Sequence, residues 1–141
     1  MYDEPKLIQA GQAIDDRGVL VFCNEFNLAG VVRFYVIQNH RQGLVRAWHG
    51  HAKSDTFLWP VVGAWTVAAA RIGASSPRVD RHTIDRTRIY HVPAGWYHGH
   101  KSLTDGAILG VFSTATIEEV REDDARLLWD RWPEVWEEVQ K

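Results

Sequence analysis

The chain is poor in the features that mark most specialised protein classes. It has a single cysteine, Cys23, which excludes an intramolecular disulfide framework and a multi-cysteine zinc site. No apolar run approaches the roughly 20 residues of a membrane-spanning helix. Neither charge sign dominates: 16 Lys and Arg against 18 Asp and Glu leave −2, so there is no basic stripe for nucleic acid. Repeats and low-complexity tracts are absent. The first residues, Met1-Tyr2-Asp3-Glu4-Pro5, place acids and a proline where a secretory leader would carry basic and then apolar residues. These absences point to a soluble, cytoplasmic chain with no membrane and no nucleic-acid partner. The 141 residues fit one domain, 1–141, long enough to bury roughly 70% of the unfolded surface without staples.

What is present is β-sheet chemistry. Turn signals punctuate the first 115 residues: Asp15-Asp16-Arg17-Gly18, Ala29-Gly30, Asn39-His40-Arg41-Gln42-Gly43, Gly73-Ala74-Ser75-Ser76-Pro77 and Thr104-Asp105-Gly106. Between them, runs rich in β-branched and aromatic residues read as strands over 19–26, 31–38, 44–51, 57–71, 88–92 and 107–114. Gly63 interrupts the longest run and marks a bend or hairpin. Many short, evenly punctuated strands predict an all-β sandwich or barrel. After residue 118 the pattern changes. Trp129, Trp132, Val135, Trp136 and Val139 recur at helical spacing, and Pro133 suits a first helical position, so a short C-terminal helix is expected over 133–140. Seven tryptophans are a heavy apolar load for this length. Together with the amphipathic tail and sheet edges that need cover, they predict a homodimer.

The chemistry concentrates in histidine. On a strand, residues two apart share a face, so His49 and His51 of Trp48-His49-Gly50-His51 point the same way, with Ala47 behind them and Trp48 and Gly50 turned away. A second stretch, Pro93-Ala94-Gly95-Trp96-Tyr97-His98-Gly99-His100, follows a strand through a Pro-x-Gly turn. In a barrel the two stretches bring His49, His51 and His98 to one mouth. Such imidazoles are acid–base groups near neutral pH. With Asp55 added, His49, His51 and His98 form an alternative ligand set for a divalent transition metal. Tyr35 and Tyr90 are strand aromatics, Arg17 and Arg46 are cations suited to a phosphate, and His40 and His82 fall in polar turns.

These residues resemble the cupins. Gly43, His49, His51, Asp55 and Gly63 follow the first cupin motif, and Pro93, Gly95 and His98 follow the second. The resemblance is closer to the RmlC-like branch, the deoxythymidine-diphosphate-sugar 3,5-epimerases and 3,4-ketoisomerases. It runs in order through Asp16-Arg17-Gly18, Gly43-Leu44-Val45-Arg46-Ala47-Trp48-His49, Ser76-Pro77, Val92-Pro93-Ala94-Gly95-Trp96-Tyr97-His98-Gly99 and Asp124-Ala125-Arg126-Leu127-Leu128-Trp129. His49-Gly50-His51 is similar to the ketoisomerases, and His98-Gly99 to the epimerases. The resemblance implies a cupin jelly-roll barrel, commonly dimeric, that isomerises a nucleotide-linked 4-keto-6-deoxy sugar without a cofactor. It implies that His49 removes a proton next to the ketone and that a second group reprotonates the carbon; His51, which would orient or assist His49, and His98 are the further catalytic candidates, with His100 or a cavity tyrosine as the other possible donor. Arg17, Arg46, Tyr35, Gln38 and His100 are the corresponding substrate-binding candidates. A sugar- or nucleotide-binding barrel without catalysis is a further alternative. The chain departs from the epimerases at three places: Thr56 where a lysine is usual, no tyrosine in 109–116, and Arg71 where an aspartate supports the histidine.

Overall fold

The computed structural model describes residues 3–137. Twelve strands, β1 (Lys6–Gln9), β2 (Gly11–Asp15), β3 (Gly18–Phe22), β4 (Arg33–Gln38), β5 (Val45–His51), β6 (Thr56–Val62), β7 (Trp65–Arg71), β8 (Asp80–Ile84), β9 (Arg88–Val92), β10 (Trp96–Ser102), β11 (Ile108–Ser113) and β12 (Ala125–Arg126), are joined by one helix, α1 (Ile117–Glu122). Ten strands form two five-stranded antiparallel sheets, in the orders β1-β9-β6-β11-β4 and β12-β5-β10-β7-β8. The sheets close face to face as a cupin jelly roll, and β2 and β3 form a separate two-stranded ribbon.

Gly63 makes the bend of the two expected alternatives, at the turn that carries the chain from β6 in one sheet to β7 in the other. Its φ of 79° lies in the left-handed region that a side chain rarely adopts, and a Cβ there would meet Thr104 Oγ1. Leu58, Trp65, Val67, Ala69, Tyr90, Val92, Leu109 and Val111 alternate inward from both sheets and fill the sandwich. Burying such side chains is the main favourable term in folding.

A second apolar cluster lies on the outer face of the β5-β10-β7 sheet. Trp48 and Ala68 point outward there and are covered by Val135 and Trp136. Trp48 stacks edge-on to Trp132 and tilted to Trp136, both at 5.2 Å between ring centroids. The tail is held in place by Lys101 Nζ, which donates to the Trp136 carbonyl at 2.7 Å, and by Arg81 Nε, which donates to that of Val135 at 2.6 Å. The expected helix over 133–140 is instead one 3-10 turn, Pro133–Trp136. Residues 138–140, including Val139, lie outside the described residues. The spacing of the tryptophans was compatible with a helix, but docking on a flat sheet face needs only one turn to seat Val135 and Trp136.

Gly99, between two inward histidines of β10, lies under this tail. A Cβ there would stand 2.5 Å from Ala47 Cβ and 2.9 Å from the Trp136 ring. Trp136 is buried and Ala47 is packed against the same cluster, so something rigid has to move. Gly99→Val is expected to destabilise by about 1–3 kcal/mol, as overpacking does. A denaturant titration with an unchanged midpoint would contradict this packing.

Candidate functional site

The histidine strands lie side by side. In β5 and β10, His49 opposes His98 and His51 opposes Trp96, but Arg46, not Ala47, opposes His100. Three steps on β5 therefore match two on β10, which is a bulge. It turns both Arg46 and His49 into the pocket while Ala47 and Trp48 pack outward under the tail. This corrects the expectation that Ala47 shares the histidine face. The face shared by His49 and His51 is as expected.

The pocket opens between β5 and β4 and has a volume of about 460 Å³. His49, His51, His98 and His100 come from one sheet, Tyr35 and Arg33 from the other, and Asp124 and Arg126 from the segment that pairs with β5. His98 sits 6.3 Å from His49 and 5.9 Å from His51, between ring centroids. His98 and His100 form the floor and are only 5% and 3% exposed. Neither nitrogen of His98 nor Nδ1 of His100 has a hydrogen-bond partner. Burial drives both well below the ordinary imidazole value of 6.5, to about 3 for His100, and the other histidines push the same way. They are therefore neutral at any physiological pH. His49 is also lowered, first by burial and then by the Arg126 charge, with Asp124 opposing. Tyr35 is raised by burial, against the pull of Arg33 and Arg46, so its hydroxyl keeps its proton. The Arg33 guanidinium lies 4.4 Å from the Tyr35 ring centre. Arg46 is steadied by Nε donating to Asn39 Oδ1 at 3.0 Å.

Other candidates fall elsewhere. Arg17 is exposed at the tip of the β2–β3 ribbon and pairs with Asp15 at 2.6 Å, outside the pocket. Gln38 is at the end of β4, on the outward side of the alternation that turns Tyr35 inward. Asp55 is turned away from the pocket. Its Oδ2 accepts from His91 Nε2 at 2.9 Å, its Oδ1 accepts from the Ala94 amide at 2.9 Å, and His91 stacks on Phe57. The four-ligand metal set is thus not assembled, and among the described residues no group of three or more His, Cys, Asp or Glu side chains has metal-holding geometry. His82 is not in a turn but on β8, donating to Asp80 Oδ2 at 2.9 Å, and the Tyr90 hydroxyl donates to the same oxygen at 2.7 Å. His40 is exposed. Arg71 lies over the Trp96 ring, 5.0 Å from its centroid.

The candidates missed from sequence were Arg33, Asp124 and Arg126. Arg33 was findable, because period-two alternation puts it on the face of Tyr35. The other two lie on and just before β12, a strand of two residues that is too short to leave an alternation.

The buried imidazoles make stability depend on pH. In the unfolded chain they bind protons near 6.5, whereas the folded protein excludes those protons until far lower. Their contribution is complete above that value and is lost as pH falls through the window from 6.5 toward about 3. Urea titrations are expected to show stability already falling between pH ~7 and pH ~5, where carboxylates are still mostly ionised. A flat profile there would contradict it.

No family model and no curated protein matches the sequence. Solved structures do match. The dTDP-4-dehydrorhamnose 3,5-epimerase of Bacillus anthracis, with TDP and PPi bound, superposes with a TM-score of 0.77 at 18% identity, over 92% of this chain and 81% of that one. The 3,4-ketoisomerase QdtA of Thermoanaerobacterium thermosaccharolyticum, in complex with TDP, gives 0.68 at 17% identity over 96% of both chains. ChmJ, a 3'-monoepimerase of Streptomyces bikiniensis in complex with dTDP-quinovose, gives 0.77 at 19% identity, over 94% of this chain and 73% of that one. The fold of this chain is that of the RmlC-like cupins. No helix of the described residues is long and apolar enough to cross a membrane.

Proposed function

We propose that this protein is a sugar-nucleotide isomerase acting on a nucleotide-linked 4-keto-6-deoxy sugar, as an epimerase or a 3,4-ketoisomerase. The observation that carries this is one pocket holding two accessible imidazoles on β5, a protonated phenol on β4 and unequal charge, with Arg33, Arg46 and Arg126 against Asp124 alone. The excess positive charge suits a diphosphate. A carbon acid beside a ketone is weak, so its base has to be neutral and held in place. His49 meets both conditions, since it is kept neutral by burial and fixed on a strand.

In this scheme His49 takes the proton next to the ketone, His51 is the second acid–base group, and the Tyr35 hydroxyl protonates or stabilises the enolate oxygen. His98 and His100, neutral and without polar partners, shape and dry the floor and do not donate protons. No cofactor takes part. The direct test is incubation with a nucleotide-linked 4-keto-6-deoxy sugar in deuterated water, with deuterium expected at a carbon flanking the ketone. No exchange across several such substrates would remove the assignment. Nucleotide binding without exchange would favour the non-catalytic barrel.

The same scheme includes a cytoplasmic setting and a homodimer. The tryptophan load is largely absorbed inside the chain, so the dimer rests on a different surface. Leu28, Val32, Phe34, Val36 and Val62 stand exposed on or beside the β4 sheet, and the β2–β3 ribbon exposes Ile14 and Leu20 at 73% and 64%. An apolar surface of this kind is characteristic of a subunit contact. Light scattering is expected to give twice the 16.1 kDa chain mass, and a monomer at micromolar concentration would refute it.

A further inference from the structure

His51 has a partner that His49 lacks. Its Nδ1 lies 2.9 Å from the backbone carbonyl oxygen of Asp123. A carbonyl only accepts, so Nδ1 carries the proton, and the neutral ring presents its lone pair at Nε2. Nε2 makes no hydrogen bond within the described residues, and His51 lines the pocket. This is the tautomer an acid–base group needs when its Nε2 faces substrate, and it is not the one a free histidine prefers.

The carbonyl is itself held from several sides. Asp123 ends α1, with its amide donating to the Glu119 and Val120 carbonyls. Its carboxylate reaches back to the turn just after His51: Oδ1 accepts from the Ala52 amide at 3.1 Å and Oδ2 from the Lys53 amide at 2.8 Å. The far end of α1 is fixed by a capping box between Thr116 and Glu119. Two residues beyond Asp123, Ala125 pairs with Gly50. One residue thus grips the backbone on the C-terminal side of His51 with its side chain and the ring of His51 with its main chain.

We infer that Asp123 is a positioning residue for His51, and that its carboxylate clip and carbonyl together do the work of a histidine–carboxylate pair. This takes the isomerase assignment above as its basis, and it gives the second acid–base group, His51, a support that no side-chain carboxylate provides. The carboxylate acts on the ring only through the peptide it anchors, so Asp123 touches neither substrate nor reacting atom.

The test begins on the wild-type protein. Long-range ¹H–¹⁵N correlation spectra at alkaline pH are expected to show His51 in the Nδ1–H tautomer. An Nε2–H ring, or an unbiased mixture, would overturn the inference whether or not any substrate is turned over. Asp123→Ala keeps the backbone carbonyl but frees it. The variant is expected to show a mixed His51 tautomer and a kcat lower by roughly 10–100-fold with little change in KM, in line with lost positioning and not lost binding. Asp123→Asn keeps one of the two accepting oxygens and should fall between. A folded Asp123→Ala with wild-type kcat and an unchanged His51 spectrum would overturn the role. If wild-type protein exchanges no deuterium into any 4-keto sugar, the isomerase assignment fails, and the tautomer of His51 and its change in Asp123→Ala still decide whether Asp123 positions the ring.

Discussion

Replacing His49 with asparagine is expected to slow deuterium incorporation beside the ketone by roughly 10²–10⁴-fold, the range typical of lost general-base catalysis, with the fold intact. Asparagine keeps much of the size and polarity of the ring but has no basic nitrogen. His49 is half-buried and held on β5 by its pairing with β10, so the substitution leaves no large cavity. Its lowered pKa makes a second expectation. The rate in the wild type should hold as pH drops to the ordinary value of 6.5, and fall only below it, as the ring takes a proton. His40→Asn and His82→Asn are the controls, since the first side chain is exposed and the second is committed to Asp80 on β8. A His49→Asn protein that exchanges at the wild-type rate would take His49 out of the mechanism. One that unfolds would make it structural.

Much of this site was legible in sequence because it follows short-range rules. Alternation on a strand put His49 and His51 on one face, and Gly63 and the Pro93-x-Gly95 turn marked real chain reversals. Two of the strands that escaped notice, β10 and β8, share a reason. In β10, Trp96, His98, His100 and Ser102 all point inward, but three of the four are polar, so the run does not read as a buried strand. In β8 the inward residues Asp80 and His82 are polar: Asp80 accepts from the Tyr90 hydroxyl, and His82 donates to Asp80. The helix α1 did carry a signal, Thr116-x-x-Glu119, the capping-box pattern.

Other features had no local signal. A bulge is a mismatch between two strands distant in sequence, so nothing within 46–49 announces that Arg46 joins His49 in the pocket. Asp55 has the spacing of a ligand, and only the fold shows it committed to His91 and Ala94. The carbonyl of Asp123 is invisible to any reading of side chains, since every residue carries one.

The largest effect on stability is expected from Trp48→Ala. Trp48 is fully buried, directly precedes His49, and is the centre against which Trp132 and Trp136 pack. Truncation would remove the partner of both rings and leave a cavity that the flat sheet below cannot fill, since Ala68 is its neighbour in the cluster. A loss of about 3–5 kcal/mol is expected, a drop in melting temperature of roughly 10–15 °C. The indole nitrogen has no hydrogen-bond partner, so Trp48→Phe gives up no hydrogen bond and should recover most of the loss. The damage should also reach the pocket. The outward packing of Trp48 holds the bulge that turns Arg46 and His49 inward, so the folded fraction of Trp48→Ala should bind nucleotide more weakly than wild type. Calorimetry and nucleotide titration separate the two effects. A melting temperature within a few degrees of wild type would mean that the tail does not hold the sheet as its packing indicates.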